Sequence, residues 1–221
     1  MPLLLVLALG CFSSSLVIRL TDPLVPQIAR VFLALPATTA LIASAFTFPY
    51  AFGQPLLGPL ADQLGKARVI KVCLSVLAAS MVLSAVAQSL ELLFAARVLS
   101  GFAAGGVIPV ALAMVGDRFA LEERQVALSR LLGVMLFGQI CGALGSGFVG
   151  SAFGWRVVMW IGAAVVAVAL ALTLAQLGPR MKPERKPFSF AAMRANYGLV
   201  FANPRAKICY TAVFVEGVCI L

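Results

Sequence analysis

Apolar and polar positions along this chain do not alternate; they fall into long blocks. Six runs almost free of charge occupy about residues 3–21, 37–60, 69–87, 91–116, 128–150 and 156–177, and acidic and basic residues gather between them. Each run holds about 18 to 26 residues, and a helix rising about 1.5 Å per residue over that length crosses the roughly 30 Å of a bilayer's hydrocarbon. A helix satisfies its own backbone where no water is at hand, so the pattern predicts six spanning helices. A seventh apolar run, 208–221, has 14 residues, enough for about 21 Å of helix. It predicts the start of a further span, and a chain that is a fragment of a longer protein.

Composition agrees with lipid immersion. Of the 221 residues, 62% are hydrophobic and 11% charged, and the mean hydropathy is +1.05. A water-soluble core of this size does not absorb that much apolar surface. A formal charge of +9 would suggest nucleic acid in a soluble protein. Here the bases sit in the connections, so the charge reads as a topology signal and no nucleic-acid partner is expected. Thirteen Lys and Arg, at 66, 68, 71, 118, 124, 130, 180, 182, 185, 186, 194, 205 and 207, fall on one side, and Arg30 and Arg156 on the other. The positive-inside rule then puts the N-terminus and the 58–68 connection in the cytoplasm, as in a bacterial inner (plasma) membrane. The first 15 residues lack a basic region, and hydrophobicity resumes after Cys11, so they read as an uncleaved first span rather than a signal peptide.

Three segments follow: 1–177 with six spans, 178–207 as a polar connection, and 208–221 as the beginning of the seventh span. The connection contains Pro179, Pro183, Pro187 and seven bases. It predicts a cytoplasmic linker, either simply solvated or with an amphipathic piece at 188–197 lying on anionic headgroups.

Between the second and third runs stands GPLADQLGKAR, residues 58–68, a charged turn punctuated by Gly58 and Gly65. A fainter copy follows the fifth run, where Gly147 and Gly154 have the same separation and precede Trp155 and Arg156. One turn follows the second span and the other the fifth, on opposite faces, the trace of two three-helix units of inverted topology. In the fourth run Arg97 opens R-V-L-S-G-F-A-A-G-G, with Gly101 and Gly105 at i+4 and i+8, nearly one helix face. That face lines a wet cavity, or Arg97 snorkels outward to the headgroups.

Together these stretches resemble the major facilitator superfamily. The 58–68 turn resembles its G-x-L-A-D-r-x-G-r-k loop between helices two and three, with Gln63 where a base is common and Lys66 for the usual arginine. The Arg97 segment resembles its R-x-x-q-G-x-x-a motif, with Ser100 at the glutamine. Residues 23–29, P-L-V-P-Q-I-A, resemble the end of the first helix in superfamily efflux proteins. The glycine-rich fifth run resembles an exporter motif associated with antiport, but has Cys141-Gly142-Ala143 where that motif carries Gly-Pro. The resemblance implies an all-α membrane protein, the six-helix N-terminal bundle of the major facilitator fold, built as two inverted three-helix repeats, plus the start of a seventh helix. It implies a further six-helix half, with a substrate site between the halves at mid-membrane.

The candidate chemistry is sparse and therefore informative. Asp22, at i+3 from Arg19, either pairs with it at a proline-marked helix end or turns inward as a carboxylate for proton coupling. Gln54, between Pro49 and Pro55, contacts substrate or ties helices together. Gly58, Asp62, Gly65, Lys66, Arg68 and Asp117 form the expected conformational latch, Asp117 meeting Lys66 or Arg68. Asp22, Gln54 and Arg97 are the candidates for the proton and substrate pathway. Gly101, Gly105, Gly138, Gly142 and Gly145 are expected to let helices approach closely.

The chain has no histidine, no phosphate-binding G-x-x-x-x-G-K-[ST] and no paired cysteines, its five thiols all lying in apolar runs. The reading is therefore of no metal, no cofactor and no enzyme. The expected function is secondary active transport of a small molecule, proton-coupled efflux by alternating access, with protons, lipid and the missing C-terminal half as partners. The alternatives are a facilitated uptake carrier of the same fold, or a membrane half-unit acting as an interaction protein.

Overall fold

The computed structural model of the chain describes residues 2–177 together with Asn203, Ile208 and Thr211. In order, the elements are α1 (Pro2–Arg19), a 3₁₀ turn (Asp22–Leu24), α2 (Val25–Val31), α3 (Pro36–Leu64), α4 (Lys66–Ala85), α5 (Leu90–Arg118), α6 (Leu121–Phe153) and α7 (Trp155–Gln176). No strand occurs among the described residues. The chain divides into two compact units, 1–185 and 186–221. In the second, Ile208 and Thr211 are helical, and the Thr211 hydroxyl donates to the Ile208 carbonyl at 2.9 Å. The expectations for the linker and the seventh helix otherwise lie outside the described residues.

Among the described residues, five helical stretches, 3–31, α4, α5, α6 and α7, are long and apolar enough to cross a membrane. The second predicted span is present as α3, whose 29 residues are ample in length but diluted by Gln54 and by Pro49, Pro55 and Pro59 inside the helix. Each proline removes a backbone donor, which a membrane helix tolerates when its neighbours supply partners.

Two boundaries differ from the hydrophobic pattern. Helix α6 begins at Leu121, ahead of the apolar run, because Glu, Arg, Gln and Ala are good helix formers and Glu122 and Glu123 face the positive end of the helix dipole. The 58–68 stretch is not a loop either. It is helical except at Gly65, whose φ of 96° permits the change of direction.

Gly154 makes the matching turn between α6 and α7 with φ 89°. In both turns the glycine N–H donates to the carbonyl four residues back, Gly65 to Ala61 at 2.9 Å and Gly154 to Gly150 at 3.0 Å.

The packing repeats in the same way. Helix α5 lies against α3 and α4, and α1 lies against α6 and α7, with α1 and α5 touching each other and α4 touching α7. At the α3–α5 crossing a Cβ on Gly53 would come within 2.7 Å of the Phe102 carbonyl, and one on Gly105 within 2.5 Å of that of Tyr50. At the α1–α6 crossing, Gly138 lies 2.7 Å by the same measure from the Phe12 carbonyl, and Gly142 against that of Leu16. Gly53 and Gly142 are related by the same offset along the chain as Gly65 and Gly154. The chain thus holds two equivalent three-helix repeats, α1–α3–α4 and α5–α6–α7, whose first helices are exchanged in the packing, α5 lying on α3 and α4 and α1 on α6 and α7. Ser14 of α1 joins them, donating to the Ala104 carbonyl of α5 at 3.3 Å.

Two expectations about glycines change here. Gly101 and Gly105 do not line a cavity: α3 backbone, at Phe46 and Tyr50, fills the space beside them. Gly145 is not a packing glycine: it is exposed, and a Cβ there meets nothing within 4 Å. The face of α6 in contact with its neighbours advances by four residues through Gly138, Gly142, Ser146 and Gly150, all buried, and Gly145 falls off it.

Candidate functional site

The charged side chains of this bundle lie at three levels. Arg97 is the deepest. It sits on α5, one face of which is almost continuously buried, and is 0% exposed. The Phe46 ring of α3 covers one face of the guanidinium, with Cζ 4.3 Å from the ring centroid, and Phe46 stacks in turn on Tyr50 at 5.9 Å. Among the described residues, the Arg97 Nε and Nη1 have no hydrogen-bond partner. Snorkelling to the headgroups is thereby excluded for this conformation.

The one-turn neighbour of Arg97, Ser100, has its hydroxyl 2.8 Å from both the Ser80 hydroxyl of α4 and the Ala96 carbonyl, either of which can take its single proton, and Ser84 donates to the Ser80 carbonyl at 2.8 Å. The position that resembles a superfamily glutamine therefore holds α4 to α5. Phe46 and the Ser80–Ser84 pair were not singled out by the sequence. The only signals were an aromatic pair and a serine pair four residues apart, and these are common in membrane helices.

At the Arg30 end of the bundle, Arg19 pairs with Asp22 at 3.3 Å, and the side chains are 55% and 40% exposed. Asp22 thus faces outward in this structure, immediately before Pro23, where the helix gives way to the 3₁₀ turn. Gln54 is half-buried on α3, beside Gly53 at the α5 crossing.

At the other end, Lys66 bridges two carboxylates, with its Nζ 2.6 Å from Asp117 of α5 and 3.3 Å from Asp62 of α3. Its side chain is 19% exposed, whereas those of Asp117 and Asp62 are 57% and 66% exposed. Of the two expected bases, then, it is Lys66 that reaches Asp117, and Arg68 is exposed. Gly58 is helical, and a Cβ there would meet nothing within 4 Å, so its place in this cluster is one of spacing rather than contact.

Two further bases tie helix ends together. Lys71 of α4 donates to the carbonyl of Leu177 at the end of α7, and Arg156 of α7 donates to the Ala87 carbonyl just past α4 at 2.9 Å. Each helix of this antiparallel pair thus caps the other with a cation at its negative dipole end. Cys11 and Cys73 are buried free thiols and Cys141 is a half-buried one.

The profile described as Major Facilitator Superfamily matches residues 7–221. Similar proteins include an uncharacterised MFS-type transporter, YwfA, of Bacillus subtilis (strain 168), 33% identical over 162 residues, covering 72% of this chain and 39% of that protein. A triacylglyceride transporter of Mycolicibacterium hassiacum is 27% identical over 213 residues, covering 92% of this chain and 40% of its own length. The efflux pump radE of Floropilus chiversii is 27% identical over 185 residues, covering 82% and 34%. The chain therefore spans 34% to 40% of the length of these relatives. With a match that runs over nearly all of it, on a multi-pass bundle whose glycine turns and close helix crossings repeat each other, the chain belongs to the Major Facilitator Superfamily, whose members carry small molecules across membranes.

Proposed function

We propose that this chain is the N-terminal half of a secondary active transporter that exports a small molecule in exchange for protons by alternating access. The observation that carries the proposal is Arg97. A guanidinium held dry, with Nε and Nη1 unpartnered, is expensive to keep and is tolerated where its charge is used. In this reading Arg97 sets the electrostatic potential of the pathway, and Asp22 takes and releases the coupling proton, exchanging Arg19 for the interior as the bundle moves. Gln54 would contribute a polar contact to the transported molecule.

The Lys66 cluster acts as the latch in this scheme. It spans the ends of α3, α4 and α5, and partly exposed pairs are worth only about 0 to 1 kcal/mol. That is enough to bias two conformations already close in free energy, and too little to lock either. The name of one relative, an efflux pump, supports outward movement. The proposed setting is a bacterial inner membrane with the N-terminus and the Lys66 cluster on the cytoplasmic side, as the distribution of bases suggests. The second half of the carrier would complete the substrate site, and no enzymatic step is involved.

The test is flux in sealed vesicles containing the protein made from its complete reading frame, with and without an imposed pH gradient. Gradient-driven export that is lost in Asp22→Asn and Arg97→Ala is expected, and the 221-residue chain alone should carry no flux. Flux indifferent to the gradient would replace the antiport reading with a facilitated carrier.

A further inference from the structure

The turn at Gly154 repeats the turn at Gly65, and the residue after each glycine reaches a matching place. Lys66 opens α4 and Trp155 opens α7, the third helix of each repeat. Lys66 meets Asp117, in the last turn of α5, at 2.6 Å. Trp155 meets Phe32, the residue just past α2, with ring centroids 5.9 Å apart and planes inclined at 52°. Helix α2 follows α1 through the 3₁₀ turn, and α1 is the counterpart of α5. Each turn is thus fastened to the far end of the first helix that packs into its unit, one at the Lys66 end of the bundle and the other at the Arg30 end.

The two fastenings differ in chemistry. At the Arg30 end the contact is aromatic: Trp155 is 2% exposed, and besides Phe32 its ring carries the Arg156 guanidinium, whose Cζ is 4.4 Å from the centroid. An amide reinforces the joint, since Gln27 Nε2 of α2 donates to the Gly150 carbonyl in the last turn of α6 at 3.1 Å.

Two polar atoms of this joint are left over. Trp155 Nε1 and Gln27 Oε1 are buried, and among the described residues neither has a hydrogen-bond partner. The first can only donate and the second only accept. They belong to neighbouring turns: a Cβ on Gly150 would lie 3.7 Å from Gln27 Oε1 and 3.7 Å from Val158, and Val158 is one turn beyond Trp155 on α7. A buried donor and acceptor held apart forgo a bond that a small rotation of Gln27 would make. The joint therefore has a second arrangement open to it.

We propose that the Gly154 turn is a second latch, aromatic rather than ionic, that opposes the Lys66 latch from the other face of the membrane. In the arrangement seen here Gln27 holds the last turn of α6 to α2, and that end is closed. In the other, Gln27 Oε1 accepts from the Trp155 indole, Gly150 is released and that end opens. The proposal rests on the alternating-access reading above. It adds that the two faces are held by different forces, a charge pair that salt screens at Lys66 and a ring contact indifferent to salt at Trp155.

The test is hydrogen exchange, read by mass spectrometry, on protein from the complete reading frame in lipid nanodiscs. Phe32→Leu, which removes the ring contact, should speed exchange in the last turn of α6 by about two- to tenfold, the effect of one aromatic pair. It should at the same time slow exchange at 58–66, because the opposite end then stays closed longer. Lys66→Gln should do the reverse at both places, high salt should act as Lys66→Gln does, and the double variant should lie near the unsubstituted protein. Trp155→Phe keeps a ring against Phe32 but removes the donor that the second arrangement needs, so it should slow the last turn of α6. Packing alone would give faster exchange there in both Phe32→Leu and Trp155→Phe, with 58–66 unchanged, and that result would overturn the proposal. So would exchange that rises at both ends together in Phe32→Leu. Flux in the unsubstituted protein is measured separately: its absence with the reciprocal exchange intact would overturn the transport reading and leave the second latch standing.

Discussion

At the scale of single residues, the largest conflict between chemistry and surroundings is at Arg97. Replacing a buried charge with an apolar side chain of similar length is often neutral or stabilising by about 1–4 kcal/mol. Arg97→Met should therefore raise the melting temperature of the purified protein, because Met fills the space under Phe46 without an unpaired charge, and in the same preparation abolish gradient-driven flux. A fall in melting temperature would mean that Arg97 is a structural pillar with a partner on another segment. The glycines make an independent prediction. Gly105→Ala pushes a methyl group against the Tyr50 carbonyl and the Gly53 Cα, 2.5 and 3.2 Å away. Overpacking of this kind costs about 1–3 kcal/mol. Gly145→Ala meets only open space and should not destabilise, since Ala is favoured over Gly within a helix by about 0.8–1.0 kcal/mol. Comparing the two melting curves checks both. That Arg97 matters was legible in the sequence, because any charge inside an apolar run stands out. That its neighbour is Phe46 was not, since nothing local to either residue encodes their meeting.

At the scale of helices, termini carry the ion pairs and caps. Lys66 has two carboxylate partners, and Lys66→Gln should weaken the junction of α3, α4 and α5 by no more than about 1 kcal/mol, given how exposed both aspartates are. The effect should shrink further in high salt. Chemical denaturation at two ionic strengths measures it, and a large salt-insensitive loss would contradict a surface latch. Lys71 and Arg156 differ in kind, because they donate to helix-end carbonyls of a partner helix. Lys71→Met should speed hydrogen exchange in the last turn of α7, and Arg156→Met should do so just past α4, each by an amount corresponding to about 1 kcal/mol. If exchange changes equally throughout both helices, the caps are not local.

Most helices were predictable here, since long apolar runs leave the backbone no other way to satisfy itself. The ends were less so. The pattern of hydrophobicity does not see that 61–64 and 121–127 are helical, because polar residues form helices readily once a helix is under way.

At the scale of the whole molecule, the prediction concerns sidedness. Single cysteines introduced beside Lys66 and at Ala120 should resist an impermeant thiol reagent applied to intact cells and react after permeabilisation, while ones beside Arg30 and Arg156 should react from outside. The opposite pattern would invert the proposed orientation.

By itself the sequence determined the solvent, the approximate places of the long helices, the concentration of bases in the connections and the paired glycine turns. All of these follow from properties carried within a stretch of chain: its length, polarity and φ freedom. Only the tertiary structure decided that Lys66 rather than Arg68 reaches Asp117, 51 residues away, and that the glycines of α5 press on α3 instead of facing water. Those outcomes depend on which helix faces come together. In a bilayer that choice rests on close packing between distant segments, because lipid is as apolar as they are and supplies no hydrophobic drive.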